Sequence, residues 1–455
     1  MKKKKRFPGP SAWMAYANVR GFLYNRAEFM AHLQRQYGDL CRFRLGFFDV
    51  YFINKPELVK EVLMDETEFV KTPAMKFIKV IVGNGLLVSE GEFHRRQRRL
   101  VQPAFRPERV RGYAEVMITA AQVACARWED GQELDIHEEM IQLTMEIASV
   151  TLFGASVTGL TAKVKEAIAT LLPMIDRIAQ PTGLIRMLLP SPGNLRLYRA
   201  RRSLDRVIGE IIEKGRAREG EVDDVLSMLL NAQDEEGDGT GMTDEQVRAE
   251  VMTMFIAGHE TTAVALSWTW HLLGGHPEVV ARLHEELESV LEGRAPNAED
   301  VPRLAYTRMV LAESMRLYPP AYLIDRLTTR KWAVGDRVIP KGKYIFMSPY
   351  TMHRHPDYFP EPERFLPERW TPERVAERPK FSYFPFGGGP RVCIGEQFAW
   401  SEMILVLAAI AQKYSFTPVS GHTPEVSPLI TLRPKDGIKM VAKRRQLSSG
   451  FDSTG

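Results

Sequence analysis

Apolar residues recur at helical spacing over most of this chain, and strand-like patterning is confined to short stretches. Spacing from Arg20 to Tyr37 predicts a helix, then Leu45, Phe47, Val50, Tyr51 and Phe52 predict short strands. A further helix is predicted from Pro56. Pro73 to Leu87, with Gly83 and Gly85, reads as an irregular apolar loop packed on the core. Val116 to Gly154 reads as two helices broken at Asp130-Gly131, and helical patterning continues to about Leu230. Pro181-Thr-Gly183 and Pro190 to Gly193 interrupt it. Thr243-Asp-Glu-Gln246 has the form of a capping box, with Thr243 as N-cap and Gln246 at N3. It opens a helix that runs to about Gly274. At 1.5 Å per residue, ~30 residues span ~45 Å, enough to cross a whole domain. A helix is predicted near Pro277 to Leu291, and Trp332 to Ile345 reads as a hairpin with turns at Gly335-Asp336 and Pro340-Lys-Gly342. The expected fold class is mainly α with small β-sheets.

Composition narrows the function classes. The 455 residues are 44% hydrophobic and 26% charged, as in an ordinary globular protein with a large core. A net charge of +4 gives no case for a nucleic-acid partner. The three cysteines, Cys41, Cys125 and Cys393, are too few and too scattered for a disulfide framework or a zinc cluster. A reducing cytoplasm fits best. Lys2 to Arg6 is a basic run without the apolar stretch of a signal peptide behind it. No window approaches the roughly eighteen apolar residues of a membrane span. Met403 to Ala411, the most apolar stretch, reads as a buried helix. Asp234-Glu-Glu-Gly-Asp-Gly reads as an exposed loop without calcium-loop spacing.

Chemistry concentrates in Phe384 to Gly395, a glycine- and proline-rich loop that carries Cys393 just ahead of an apolar helical run. A helix N-terminus favours an anion, and the same features activate a cysteine sulfur. Gly387, Gly388 and Gly389 allow positive φ and close approach to a flat partner. Arg391 offers a fixed fork of donors to a carboxylate. A buried structural cysteine is the common fate of a lone Cys. A phosphate cradle is excluded, since neither Gly-x-x-x-x-Gly-Lys-Ser/Thr nor Gly-x-Gly-x-x-Gly is present. A thiolate ligand to haem iron is the third reading. Phe386, Gly389, Arg391, Cys393 and Gly395 fit Phe-x-x-Gly-x-Arg-x-Cys-x-Gly at every fixed position. The stretch resembles the cysteine-ligand loop of the haem-thiolate monooxygenases, the cytochrome P-450 superfamily.

Other stretches agree with that resemblance, in the family's order, from about Pro8 to about Lys443. His94 and Arg98 share one helix face, ordinarily a solvated one, and resemble the pair that holds a haem propionate. Arg326 resembles a further propionate ligand. Ala257-Gly258-His-Glu260-Thr261-Thr begins like a zinc-protease motif but has Ala263 where the second histidine must stand. It resembles instead the oxygen-binding groove: Gly258 allows a local opening of the helix, Thr261 places a hydroxyl, and Glu260 feeds protons. Ala257 leaves room for haem and substrate. Glu313 and Arg316, three apart on a helix, are ordinarily a surface pair. In the family they form a buried lock behind the haem loop. Arg369 is the third member by spacing, with Arg364 the runner-up.

The resemblance implies a single monooxygenase domain from 8 to 443, between a basic tail (1–7) and a polar tail (444–455). It implies haem b as cofactor and insertion of one atom of O2 into an apolar substrate, fatty-acid-like, terpenoid or carotenoid. Phe77, Ile81, Leu87, Ala321, Leu323 and Ile324 would line the pocket, and Ile175, Leu184, Ile185, Met187 and Leu188 its lid. With no reductase stretch in the sequence, electrons would come from a separate ferredoxin- or flavodoxin-type system. The arginines Arg95, Arg96, Arg99, Arg106, Arg109 and Arg111 would steer it. A peroxide-driven or isomerising haem-thiolate enzyme, and a haem protein that binds a ligand without turnover, are the alternatives. The acid–threonine pair argues against both.

Overall fold

The computed structural model describes residues 6–154, 191–217 and 224–445. Its organising element is the helix Asp244–Gly274, 31 residues long. The capping box is formed in both directions: Thr243 Oγ1 accepts from Gln246 N–H and the Gln246 side chain accepts from Thr243 N–H at 2.9 Å. Most of this helix is buried on every side, which is the signature of a core helix rather than a surface one. Helices Ile136–Phe153, Ala305–Leu317 and Glu396–Ala411 pack around it. Polar side chains on these faces bond across them. Thr144 Oγ1 donates to the His259 carbonyl at 2.9 Å, and His137 Nδ1 lies 3.0 Å from Ser267 Oγ.

Small sheets surround this helical core. The largest runs Leu40–Leu45, Phe48–Ile53, Tyr344–Met347, Ile324–Thr328 and Phe69–Val70, with a parallel pairing only between Phe48–Ile53 and Tyr344–Met347. Phe416 and Met440, from the sheet of Glu133–Asp135, Lys439–Arg444 and Tyr414–Pro418, reach the main core. A hairpin of Val426–Pro428 and Leu432–Pro434 lies against the long helix, where Trp268 Nε1 donates to the Leu432 carbonyl at 2.7 Å.

The mainly helical architecture with small sheets agrees with the patterning, and four local expectations need correction. Arg20 to Tyr37 is interrupted at Asn25, whose extended backbone ends one helix while its side chain caps the next. Pro73–Val82 is a helix, not a loop: Pro73 sits at its first turn and Gly83, at φ +78°, ends it. The glycines marked only its end. The stretch from Trp332 is a hairpin only to Ile339, because Tyr344–Met347 joins the large sheet. Asp234 is buried, held by Arg99 at 2.9 Å, although the residues after it are exposed. The lid residues Ile175, Leu184, Ile185, Met187 and Leu188 lie outside the described residues.

Glu402 sits fully buried within Glu396–Ala411, and its side-chain partner is Thr262. Burial pushes its carboxyl up to about 8, from an ordinary 4.5. Between those values the folded chain holds a proton that the unfolded chain has released. Stability from this group therefore falls as pH rises, by about 1.4 kcal/mol per unit. Glu402→Gln removes that dependence. Urea unfolding should show the variant and the parent alike near pH 4.5 and the variant more stable at pH 8. Parallel pH profiles would contradict a protonated Glu402.

Candidate active site

Cys393 is accessible to solvent yet lies deep among protein atoms, so it lines an internal recess rather than the outer surface. Its backbone N–H donates to the Phe386 carbonyl at 3.0 Å, and Gly387 N–H donates to Phe384 at 3.0 Å. Gly387 needs to be glycine for its φ of +76°. Gly389 also has positive φ, +68°, and a Cβ there would come within 2.1 Å of the Leu63 carbonyl. Packing on the neighbouring helix Pro56–Met64, rather than approach to a flat partner, thus explains Gly389. Burial raises the Cys393 thiol; the N–H of Gly395 and the Arg98 guanidinium oppose that rise.

The loop is fastened from behind. Arg316 and Glu313 form a fully buried bidentate pair, both bonds 2.9 Å. Arg369 Nε donates to Glu313 at 3.1 Å, Trp370 Nε1 at 2.9 Å, and the Leu366 N–H at 3.0 Å. Arg364 contributes only its carbonyl, to Arg316, while its side chain pairs with Glu361 at the surface. Arg316 also donates to the His353 carbonyl at 2.9 Å, and His353 Nε2 accepts from the Phe384 N–H at 3.0 Å. That chain of bonds runs from the buried acid to the start of the cysteine loop.

In front of the loop, basic groups converge. Arg98 Nη1 donates to the Val392 carbonyl at 2.9 Å and Arg391 Nη1 to the Ser89 carbonyl at 2.9 Å. Arg326 Nη1 donates to the Asp325 carbonyl at 2.7 Å. Lys71 was not expected here. Its ammonium donates to Leu86 at 3.3 Å and Ser89 at 3.4 Å, and to Leu87. Burial, then Arg391 and Arg326, push the Lys71 ammonium down to about 7. His94 is pushed to about 3 by burial and by Arg391, Lys71 and Arg98, so its ring is neutral. Glu66, 3.5 Å from Arg391, offsets part of the charge. His94 Nδ1 and the Nε and Nη2 of Arg391 are buried without a hydrogen-bond partner. Unsatisfied buried donors of this kind ask for an acceptor. The set fits a flat cofactor with carboxylate arms, which Cys393 would face.

On the long helix, Ala257 is exposed and Thr261 half-buried beside it. Thr261 Oγ1 donates to the Ala257 carbonyl at 2.8 Å, and Thr262 Oγ1 to Gly258 at 3.1 Å. Glu260 is buried and turned to the small hairpin: Thr431 Oγ1 donates to its Oε1 at 2.7 Å, and Arg433 Nη2 lies 3.1 Å from the same oxygen. Of the pocket residues, Leu87 is 37% exposed, Ala321 is exposed, and Leu323 and Ile324 are half-buried. Phe77 and Ile81 fall on the helix Pro73–Val82.

The arginine cluster is less free than its sequence suggests. Arg95 pairs with Glu66 and Glu92, Arg99 with Asp234, and Arg96 lies near Asp234 and Asp238. Arg106 and Arg111 have no ion pair among the described residues. Arg111 borders a surface groove of 700 Å³, together with Arg308 and Trp400, that does not include Cys393.

The profile of the family described as Cytochrome P450 matches residues 7–441. The chain belongs to the cytochrome P-450 family. Cyclooctatin synthase of Streptomyces melanosporofaciens is 42% identical over 409 residues, covering 89% of this chain and 88% of that protein. Pentalenene oxygenase of Streptomyces avermitilis is 36% identical, covering 90% of each. Among solved structures, the haem domain of cytochrome P450DA is similar at a TM-score of 0.86 and 27% identity, covering 97% of this chain and 98% of its own. As a P-450 monooxygenase the chain is an oxidoreductase. Among the described residues no helix is long and apolar enough to cross a membrane.

Sequence reasoning missed Lys71, Thr431 and Arg433. Lys71 carried one signal, a lone cation between Val70 and a Thr-Pro helix start. The hairpin pair carried none.

Arg369→Ala should cost about 3–5 kcal/mol, because it strips a partner from a buried carboxylate. Arg364→Ala should cost under about 1 kcal/mol, as an exposed pair does. Equal losses in urea unfolding would show that Arg369 is not part of the lock.

Proposed function

We propose that this P-450 oxidises a terpenoid substrate with O2, using haem b and electrons from a separate ferredoxin- or flavodoxin-type partner in the cytoplasm. What carries this reading is similarity over 89% and 87% of the chain to two Streptomyces melanosporofaciens relatives, at 42% and 40% identity, the first a cyclooctatin synthase. The second of these is a cyclooctat-9-en-7-ol 5-monooxygenase. A cytoplasmic setting is supported by the unpaired thiols of Cys41 and Cys125.

Bound in the site, haem supplies the activation of dioxygen. Cys393 would supply its sulfur ligand, and His94, Arg98, Arg326, Arg391 and Lys71 would hold its carboxylate arms. The chain's own groups then position, protonate and exclude water. Thr261 Oγ1 gives up its bond to Ala257 and turns its proton into the groove. Glu260, next in the chain, relays protons between solvent and the groove. Ala257 keeps the helix face low, so an apolar skeleton can approach. Thr262 is turned away: it is buried, bonded to Gly258, and partners Glu402. Arg106 and Arg111 are the cations left to meet an acidic partner, at the surface beside the helix that follows the cysteine loop.

Terpene hydrocarbons and their alcohols, titrated into the haem-loaded protein, should shift the haem absorption band where fatty acids do not. With such a substrate, Thr261→Ala should consume NADPH at a similar rate but give little product and much hydrogen peroxide. Glu260→Gln should slow the whole cycle, and Thr262→Ala should leave the product-to-peroxide ratio unchanged. A ratio governed by Thr262 instead would place the working hydroxyl one residue on.

A further inference from the structure

The acid of the groove is held from outside the groove. We propose that Thr431 and Arg433 are positioning residues for Glu260, which makes the hairpin Val426–Pro434 part of the proton path. This rests on the reading that Glu260 serves Thr261 in proton delivery. Both hairpin groups fall on one oxygen: Thr431 Oγ1 is 2.7 Å from Glu260 Oε1 and Arg433 Nη2 is 3.1 Å from it. Among the described residues, Oε2 takes no protein hydrogen bond, so it is the oxygen left to exchange a proton. A carboxylate this buried needs compensation for lost water. The hydroxyl and the guanidinium provide it and fix the orientation of the group. Each proton that Oε2 passes inward is replaced from the solvent side, and the carboxylate is unchanged over a cycle.

The contact is built rather than incidental. Arg433 pairs with no other carboxylate among the described residues, and its Nε and Nη2 are buried without a hydrogen bond, which leaves the ion pair with Glu260 as their compensation. Its hairpin is tied to the long helix a second time, by Trp268 to Leu432 at 2.7 Å. Leu432 N–H donates to Pro320 at 3.0 Å, and Tyr322 Oη donates to Pro428 at 2.9 Å and Leu429 at 2.7 Å. The turn therefore cannot drift from Glu260 without breaking several bonds. The nearby histidines are otherwise engaged, His259 Nδ1 at 2.6 Å from the Phe255 carbonyl and His137 Nδ1 at 3.0 Å from Ser267.

The test uses the haem-loaded protein. Thr431→Val should raise the peroxide-to-product ratio on the order of tenfold, the weight of one hydrogen bond to a charged group. Thr431→Ser should restore the parent ratio. Adding Thr431→Val to Glu260→Gln should change nothing further, since the group being positioned is already gone. Infrared difference spectra read the same claim without turnover. The carboxyl stretching bands of Glu260, assigned by their loss in Glu260→Gln, should shift in Arg433→Met. Arg433→Lys should keep the parent spectrum. Unshifted Glu260 bands in Arg433→Met, or a Thr431→Val effect that adds in full to Glu260→Gln, would overturn the proposal and leave the hairpin a mere staple. A parent without terpenoid product overturns the substrate assignment alone, and the infrared arm then decides the hairpin's part.

Discussion

Glu313 is the charge that the site rests on. It is fully buried, and a buried carboxylate survives only if its oxygens are paired. Arg316, Arg369, Trp370 and the Leu366 N–H pair them. Because Arg316 is also buried, its remaining donors must find carbonyls, and those they find belong to His353, Pro362 and Arg364. His353 in turn takes the N–H of Phe384, where the cysteine loop begins. One unavoidable electrostatic requirement thus draws a helix, an irregular segment and the loop of Cys393 into fixed register.

In front of the loop the same logic is left incomplete. Lys71, Arg98, Arg326 and Arg391 point carbonyl-bonded cations toward one region, with neutral His94 among them, and Arg391 keeps buried donors unpaired. Burial first, then repulsion from Arg391 and Arg326, lowers the Lys71 ammonium. An anionic ligand relieves that repulsion, which is why the cluster reads as a cofactor site rather than as a structural one. The acid–threonine pair is arranged differently. Thr261 bonds back to Ala257 and Glu260 turns to the hairpin, so these neighbours, about 100° apart round the helix, meet different partners.

The fold was legible where periodicity and caps agree. The Thr243–Gln246 box and the long apolar run fixed the central helix, and Phe384 to Gly395 with the cysteine fixed the family. Arg369 was preferred over Arg364 by spacing, and Arg369 is the one whose side chain reaches Glu313. Legibility failed where a residue's meaning depends on a distant partner. Gly83 and Gly85 suggested a loop because glycine punctuates, yet a helix precedes them. Arg95 and Arg99 looked like a free basic face because Glu66 and Asp234 lie far off in the chain. Thr431 and Arg433 meet Glu260 across more than a third of the sequence, a distance over which no local pattern carries information.

Everything turns on which sulfur binds iron. Cys41 and Cys125 are closed into the core, where burial raises their thiols to about 12, whereas Cys393, though also raised by burial, opens to a recess beside Arg98 at a helix start. The absorption spectrum of the reduced, carbon monoxide-bound protein decides this directly. It should carry the long-wavelength band of a thiolate ligand in the parent, in Cys41→Ala and in Cys125→Ala, and lose it in Cys393→Ala. A band that survives Cys393→Ala, or that disappears with Cys41 or Cys125, would contradict the account.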